Sequence, residues 1–226
     1  MIQLPFADRA EAGRLLATEL ATLELPGEVV VIALPRGGLP VGLEVAKTLR
    51  APLDVVIVRK LGVPWQPELA MGAIASGSVQ TLDHDLIRAL GISRAQIDAV
   101  IDKEKVELER REKLYRKGRP ALDLRGRTAL LVDDGLATGS TMLVAARYVR
   151  SVKPARTLIA VPVASVQACE RLKTEDDCIC LATPEPFVAV GEWYADFPQV
   201  TDSEVQRLLE ASRLPGKANT SEGLAR

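Results

Sequence analysis

Five predominantly apolar runs of strand length recur along this chain, at residues 29–34, 53–58, 127–132, 157–163 and 178–182, with helix-like segments between most of them. A strand with one solvated face alternates apolar and polar residues, so a run of consecutive apolar positions belongs to a sheet covered on both faces. Strand-helix alternation of this kind predicts an α/β fold with a mainly parallel sheet flanked by helices. Ligands in such folds gather beyond the carboxyl ends of the strands. The residues that follow each run are therefore the first place to look for chemistry.

The most distinctive of these ends lies in residues 129–141, Ala-Leu-Leu-Val-Asp-Asp-Gly-Leu-Ala-Thr-Gly-Ser-Thr. An apolar strand meets two adjacent carboxylates, Asp133 and Asp134, and runs into small and hydroxylated residues that open a helix. Gly135 and Gly139 allow backbone geometry and close approach that a Cβ would hinder. The unpaired N–H groups of a first helical turn, with the hydroxyls of Thr138, Ser140 and Thr141, suit one anionic group. The order of residue types fits a phosphorylated sugar with its hydroxyls on the carboxylates. A second candidate anion site is Pro35-Arg36-Gly37-Gly38, between the run at 29–34 and a helix over 39–49. Arg59 and Lys60 close the run at 53–58.

The intervening segments are read as follows. Asp8 with Glu11 resembles a capping box for a helix reaching about Leu25. Residues 61–69, with Gly62, Pro64, Trp65 and Pro67, have no periodicity and read as a mobile loop. Residues 71–75 and 78–82 read as two short strands of a hairpin beside the main sheet, and His84 falls at a strand-to-helix turn. Ser93 with Gln96 caps a long helix to about Lys117, with Ile97, Ile101, Leu108 and Tyr115 as its apolar stripe. Eight basic residues (Lys103, Lys105, Arg110, Arg111, Lys113, Arg116, Lys117, Arg119) face four acidic ones over residues 103–119. This could be a nucleic-acid or partner surface. A solvated face with pairs such as Glu109–Lys113 and Glu112–Arg116 is the preferred reading. Residues 184–198 hold four of the eight aromatic residues, Phe187, Trp193, Tyr194 and Phe197. They either stack on a flat base or form a lid packed on the core. Thr201 with Glu204 caps a last helix to about Ser212. One domain over residues 1–213 is expected, with 184–198 as a small hood and 214–226 as a disordered tail.

Composition narrows the function classes. With 29 Lys plus Arg against 30 Asp plus Glu, the net charge of −1 gives no global basic footprint, so no nucleic-acid partner is expected. No apolar run approaches the roughly 18 residues of a membrane span and no signal peptide is present, so no membrane partner and a cytoplasmic location are expected. Cys169, Cys178 and Cys180 read as reduced, buried thiols, because a zinc site usually wants four ligands and His84 is the single imidazole. Neither G-x-x-x-x-G-K-[ST] nor a G-x-G-x-x-G after a strand occurs, which removes P-loop and dinucleotide-binding readings.

The run Leu130-Leu131-Val132-Asp133-Asp134-Gly135-Leu136-Ala137-Thr138-Gly139-Ser140-Thr141 resembles the signature of the type I phosphoribosyltransferases. Pro35-Arg36-Gly37-Gly38 looks like that family's pyrophosphate loop, and Arg59-Lys60 with the following segment resembles the loop that closes over substrate. The resemblance implies transfer of the 5-phosphoribosyl group from 5-phosphoribosyl 1-pyrophosphate to a nitrogenous acceptor, a nucleobase being the leading class, with Mg²⁺ and release of pyrophosphate in nucleotide salvage. It assigns the ribose hydroxyls and metal-bound waters to Asp133 and Asp134, and the pyrophosphate to Arg36, Gly37 and Gly38. Lys60, with Arg59, adds charge to the leaving group. The 5-phosphate falls to Ala137, Thr138, Gly139, Ser140 and Thr141, Gly135 also lines the donor site, and Phe187, Trp193 or Tyr194 cover the acceptor. A homodimer is implied, since family members commonly associate.

The sequence departs from the family at two motif positions and in the long helix over 93–117, which lies outside the minimal family core. Ala137 stands where the hypoxanthine-guanine branch carries an acid, and Gly135 replaces a branched apolar residue, which predicts a more mobile loop. Two other readings compete with the enzyme. One is a regulator that senses phosphoribosyl pyrophosphate and binds nucleic acid or a protein; the other, weaker, is a pyrophosphokinase-like relative.

Overall fold

The computed structural model describes residues 2–117, 121, 123–174 and 177–212. Arg119 of the basic series and the tail expected at 214–226 lie outside the described residues. In chain order the elements are α1 (Arg9–Leu20), β1 (Val29–Ala33), α2 (Gly38–Leu49), β2 (Leu53–Val55), β3 (Val58–Val63), β4 (Gln66–Ala75), β5 (Gln80–Leu82), α3 (His84–Ala89), α4 (Arg94–Arg116), β6 (Thr128–Val132), α5 (Ser140–Ser151), β7 (Arg156–Val163), α6 (Val166–Lys173), β8 (Asp177–Ala182) and α7 (Asp202–Ala211).

Five strands form one parallel sheet in the order β2-β1-β6-β7-β8. Both of its faces are apolar, as the continuous runs require. Val31, Ala33, Leu130 and Val132 point into one core with helices α1, α2, α4 and α7. Val30, Ile32, Ala129 and Leu131 point into the other, with α5 and α6. Truncating a wholly buried leucine such as Leu130 or Leu131 to alanine costs about 2–5 kcal/mol, so the carboxyl ends of these strands are anchored from both sides.

The winding places the site. From β1 the chain moves outward through α2 to β2, whereas from β6 it moves the opposite way through α5 to β7 and α6 to β8. The order therefore reverses between β1 and β6, and a crevice opens beyond their carboxyl ends. The loops carrying Arg36 and the acid pair flank that crevice.

Two readings of the sequence need correction. The run at 53–58 is not one strand, because β2 ends at Val55 and Val58 already opens β3 in a separate antiparallel sheet, ordered β3-β4-β5. Residues 61–69 are not an irregular loop but the β3–β4 hairpin, turning at Pro64 and Trp65. Leu61 and Val63 are fully buried on one face of β3, a period-two signal interrupted by Gly62. That glycine sits at a register shift where a Cβ would meet the Pro67 carbonyl oxygen at 2.4 Å. The hairpin read at 71–82 is present as β4 and β5, with β4 longer than expected.

Asp8, Ser93, Ser165 and Thr201 each accept a hydrogen bond from the third residue of the helix they open. The charged helix α4 is tied to the rest of the fold. Arg116 donates to both carboxylate oxygens of Asp54 at 2.9 Å, Glu104 holds Arg59 at 2.6 Å, and Lys117 pairs with Glu210 at 2.5 Å. Glu107 accepts from Arg110 and Arg111, which pull its carboxyl down to about 2.

Candidate functional site

Strands β1 and β6 stay paired to their last residues, and Leu34 N–H then donates to the Val132 carbonyl at 2.9 Å. The two loops leave the sheet side by side. A Cβ on Gly37 would lie 2.0 Å from Asp134 Oδ2, and one on Gly38 would lie 2.8 Å from the Val132 oxygen and 3.0 Å from Asp133 Cα. Both positions therefore require glycine. The Pro35–Arg36 peptide bond is cis. Arg36 extends from this loop with its Nη1 3.7 Å from Asp202 Oδ1.

The acid pair is unequal. Asp133 Oδ1 accepts the Asp134 N–H at 2.9 Å. Burial, reinforced by the charge of Asp134, pushes the Asp133 carboxyl well above the ordinary range. Burial raises Asp134 as well, opposed by Arg9, whose Nε donates to Oδ2 at 2.8 Å. Arg9 is itself fixed, with Nη1 donating to the Pro198 carbonyl at 2.8 Å and its guanidinium 3.6 Å from the centroid of Phe197. Tyr194 donates its hydroxyl to the Asp134 carbonyl at 2.5 Å. Two carboxyls so close in a partly dry crevice hold a proton more readily than separate ones, and an arriving cation reverses that preference.

Beyond the acids, Gly139 takes a left-handed conformation (φ 70°) and is the N-cap of α5 without a side-chain cap. Thr138 Oγ1 lies 3.2 Å from Ser140 Oγ and accepts the Ser140 N–H at 3.4 Å. Ser165 holds the loop by donating to the Ala137 carbonyl at 2.7 Å. N–H groups and hydroxyls at this turn form a cradle suited to an anion.

A family model described as phosphoribosyl transferase domain matches residues 10–195. The chain belongs to the phosphoribosyltransferase family. Relatives from two strains of Mycobacterium tuberculosis, each named "Putative phosphoribosyl transferase", are 47% identical over 207 residues, covering 91% of this chain and 46% of theirs. The chain thus spans about half the length of those curated relatives. The crystal structure of a Thermus thermophilus protein superposes with a TM-score of 0.80 at 42% identity, covering 91% of this chain and 98% of that one. A hypothetical protein from Neisseria gonorrhoeae, solved with bound ppGpp, shares the fold at a TM-score of 0.51 and 15% identity, covering 94% and 99%. The phosphoribosyltransferase resemblance read from the motifs and the α/β sheet read from strand-helix alternation both hold.

In this family member the structure places the sequence-predicted residues in several different surroundings. Asp133, Asp134, Arg36, Gly37 and Gly38 meet at the crevice. Ala137, Thr138, Gly139, Ser140 and Thr141 form the cradle at α5. Lys60 lies on β3 and lines a cavity of about 320 Å³ together with Ser140, Thr141, Arg147 and Arg171. Arg59 points the other way, to Glu104 on α4. Gly135 belongs to the hood contact rather than to a mobile loop, for a Cβ there would meet Val190 Cγ1 at 2.6 Å and Val163 at 3.0 Å. Leu136 N–H and C=O bond to Val163 and Ser165 on either side, so the turn is held before the cradle begins.

The aromatic cluster also divides. Tyr194 is buried against Phe6 and Val163, with Phe187 and Trp193 packed around them. This matches the lid reading for those rings. Phe197 is 36% exposed and lines an open cavity of about 380 Å³ with Arg9, Arg36, Gly37 and residues 198–200. Arg9 and Asp202 were not singled out from sequence, and Phe197 was read only as one of the aromatic cluster, not among the acceptor residues. Arg9 hides in an ordinary amphipathic helix, and only the three-dimensional return of α1 to the acid pair reveals it.

Proposed function

We propose that this protein transfers the 5-phosphoribosyl group of 5-phosphoribosyl 1-pyrophosphate to a nitrogenous acceptor, a nucleobase being the leading class, with release of pyrophosphate. The observation that carries the reading is the seating of Gly37 and Gly38 directly on Asp134 and Asp133. It joins a backbone cradle with Arg36 to a pair of carboxylates at the topological switch point. A sugar phosphorylated at both ends needs that combination.

In this reading the cradle at 137–141 holds the unreactive 5-phosphate, which anchors the sugar while C1 reacts. Asp133 and Asp134 accept the ribose 2- and 3-hydroxyls. As the C1–O bond breaks, charge grows on the pyrophosphate, where Arg36 and the amides of Gly37 and Gly38 stabilise it, with Lys60 contributing from β3. Phe197, whose faces are covered by Arg9 and Tyr194, offers an exposed apolar edge to an acceptor beside Arg36.

The donor set also fits Mg²⁺, since two carboxylates provide the hard oxygens that this ion takes. Asp134 Oδ2 is already engaged by Arg9, so Asp133 and Asp134 would hold the ion mostly through water. When bound, Mg²⁺ supplies neutralisation of pyrophosphate charge.

The alternative, a sensor of the same sugar phosphate, draws support from Arg59 and Asp134 both being engaged by internal partners. Its nucleic-acid form is weakened by the charged helix, where Arg110, Arg111 and Arg116 of α4 and Lys117 just after it are matched by carboxylates of this chain. Calorimetric titration with phosphoribosyl pyrophosphate and Mg²⁺, repeated with ribose 5-phosphate and with pyrophosphate as competitors, tests the binding claim. Competition by both halves is expected; competition by neither removes the two-ended site.

A further inference from the structure

We propose that Cys169, Cys178 and Cys180 form a three-thiolate site for a soft, monovalent d¹⁰ cation of the copper(I) class, separate from the phosphoribosyl crevice. Cys178 and Cys180 are alternate residues of β8 and project to the same face of the sheet, while Cys169 reaches that face from α6. All three sulfurs lie within 4.8 Å of one another, and the Cys178 and Cys180 sulfurs are 3.7 Å apart. Thiolates each about 2.3 Å from one central ion stand about 4 Å apart, so the observed spacing needs only small rotamer shifts to close around a cation.

The elements make the cluster rigid. Ladder pairing fixes Cys178 opposite Ile159 and Cys180 opposite Val161. Ser165 caps α6, and the Cys169 N–H donates to the Ser165 carbonyl at 3.0 Å. Cys169 and Cys178 are buried, whereas Cys180 is half-buried on the edge strand β8, which provides a way in.

The choice of ion follows from the donors. Among the described residues the cluster consists of three sulfurs with neither imidazole nor carboxylate among its members, and His84, the single histidine, opens α3 beside the separate antiparallel sheet. Zinc in structural sites takes four ligands, while soft sulfur donors favour copper(I).

The test uses the full chain, reduced and under anaerobic conditions, titrated with copper(I) against a chromophoric copper(I) chelator. One ion per chain is expected, with three sulfur neighbours by X-ray absorption, and an affinity at least about 100-fold weaker in Cys169→Ala and in Cys180→Ser. Because Cys169 is buried, each variant's circular dichroism and urea midpoint are measured alongside, and the half-buried Cys180→Ser carries the comparison if Cys169→Ala unfolds. No copper(I) binding by the wild type, an unchanged affinity in folded Cys180→Ser, or tighter binding of Zn²⁺ than of copper(I) would overturn the proposal.

Discussion

Arg9 and Asp134, 125 residues apart, meet through a 2.8 Å hydrogen bond between the guanidinium Nε and Oδ2. The bond ties the first helix to the end of the central strand, and Phe197 and the Pro198 carbonyl hold the arginine from the hood side. One ion pair thus joins three parts of the chain at the site. Removing Arg9 leaves a mostly buried carboxylate without its cation, a change that costs about 3–5 kcal/mol at fully buried pairs. Arg9→Ala is expected to lower the unfolding free energy by roughly 3 kcal/mol in urea, with Arg9→Lys recovering only part. A loss below about 1 kcal/mol, typical of exposed pairs, would show that the contact does not clamp the hood.

The glycine loop has a separate consequence. In Gly37→Ala the new methyl would lie 2.0 Å from Asp134 Oδ2, so the loop or the carboxylate must shift. Misplacement of reacting groups by about 1 Å can cost 100-fold in rate. Gly37→Ala is therefore expected to reduce pyrophosphate release by about 100-fold or more while the far-UV circular dichroism stays that of the wild type. Release within threefold of wild type would separate this loop from the chemistry.

Asp133 gives a prediction in pH. Its carboxyl titrates well above the ordinary range in the folded state because burial and the Asp134 charge disfavour ionisation. The folded chain then binds more protons than the unfolded one between the two values, and stability falls as pH rises through that window. Asp133→Asn cannot ionise. It is expected to be more stable than wild type at neutral pH, by about 1.4 kcal/mol for each pKa unit of elevation, and to match it in acid below both values. Thermal unfolding across pH 3–8 measures this; an Asn variant less stable than wild type at pH 7 would contradict the assignment.

Much of the site was legible in the chain because it follows local rules. A strand buried on both faces, a pair of acids, and glycine where the backbone comes close leave marks in consecutive residues, as 29–38 and 128–141 show. The topology added what those runs lack, by setting β1 beside β6 so that Gly37 touches Asp134. Arg9 and Asp202 left no such mark, since each acts through a partner distant in sequence, while Phe197 showed only as one of an aromatic cluster. The β3–β4 hairpin escaped for a different reason, because Gly62 and Pro67 at its bulge broke the alternation that Leu61 and Val63 would have shown.

The hood contact at Gly135 predicts a tight steric limit. A methyl there meets Val190 at 2.6 Å and Val163 at 3.0 Å, and overpacking of this kind costs about 1–3 kcal/mol. Gly135→Ala is expected to lose stability in that range, and the double variant Gly135→Ala with Val190→Ala to regain part of it. Independent, additive losses by urea unfolding would show that the two residues do not share the contact.

The central claim is transfer from a two-ended sugar phosphate, and pyrophosphate release tests it most directly. Wild-type protein, Mg²⁺ and phosphoribosyl pyrophosphate are mixed with a panel of nucleobases and related amines, with the Asp133→Asn, Asp134→Asn double variant as control. The account predicts release dependent on at least one acceptor and abolished in the double variant. Tight binding of the donor with no release for any acceptor, or the same release from the double variant, would contradict it.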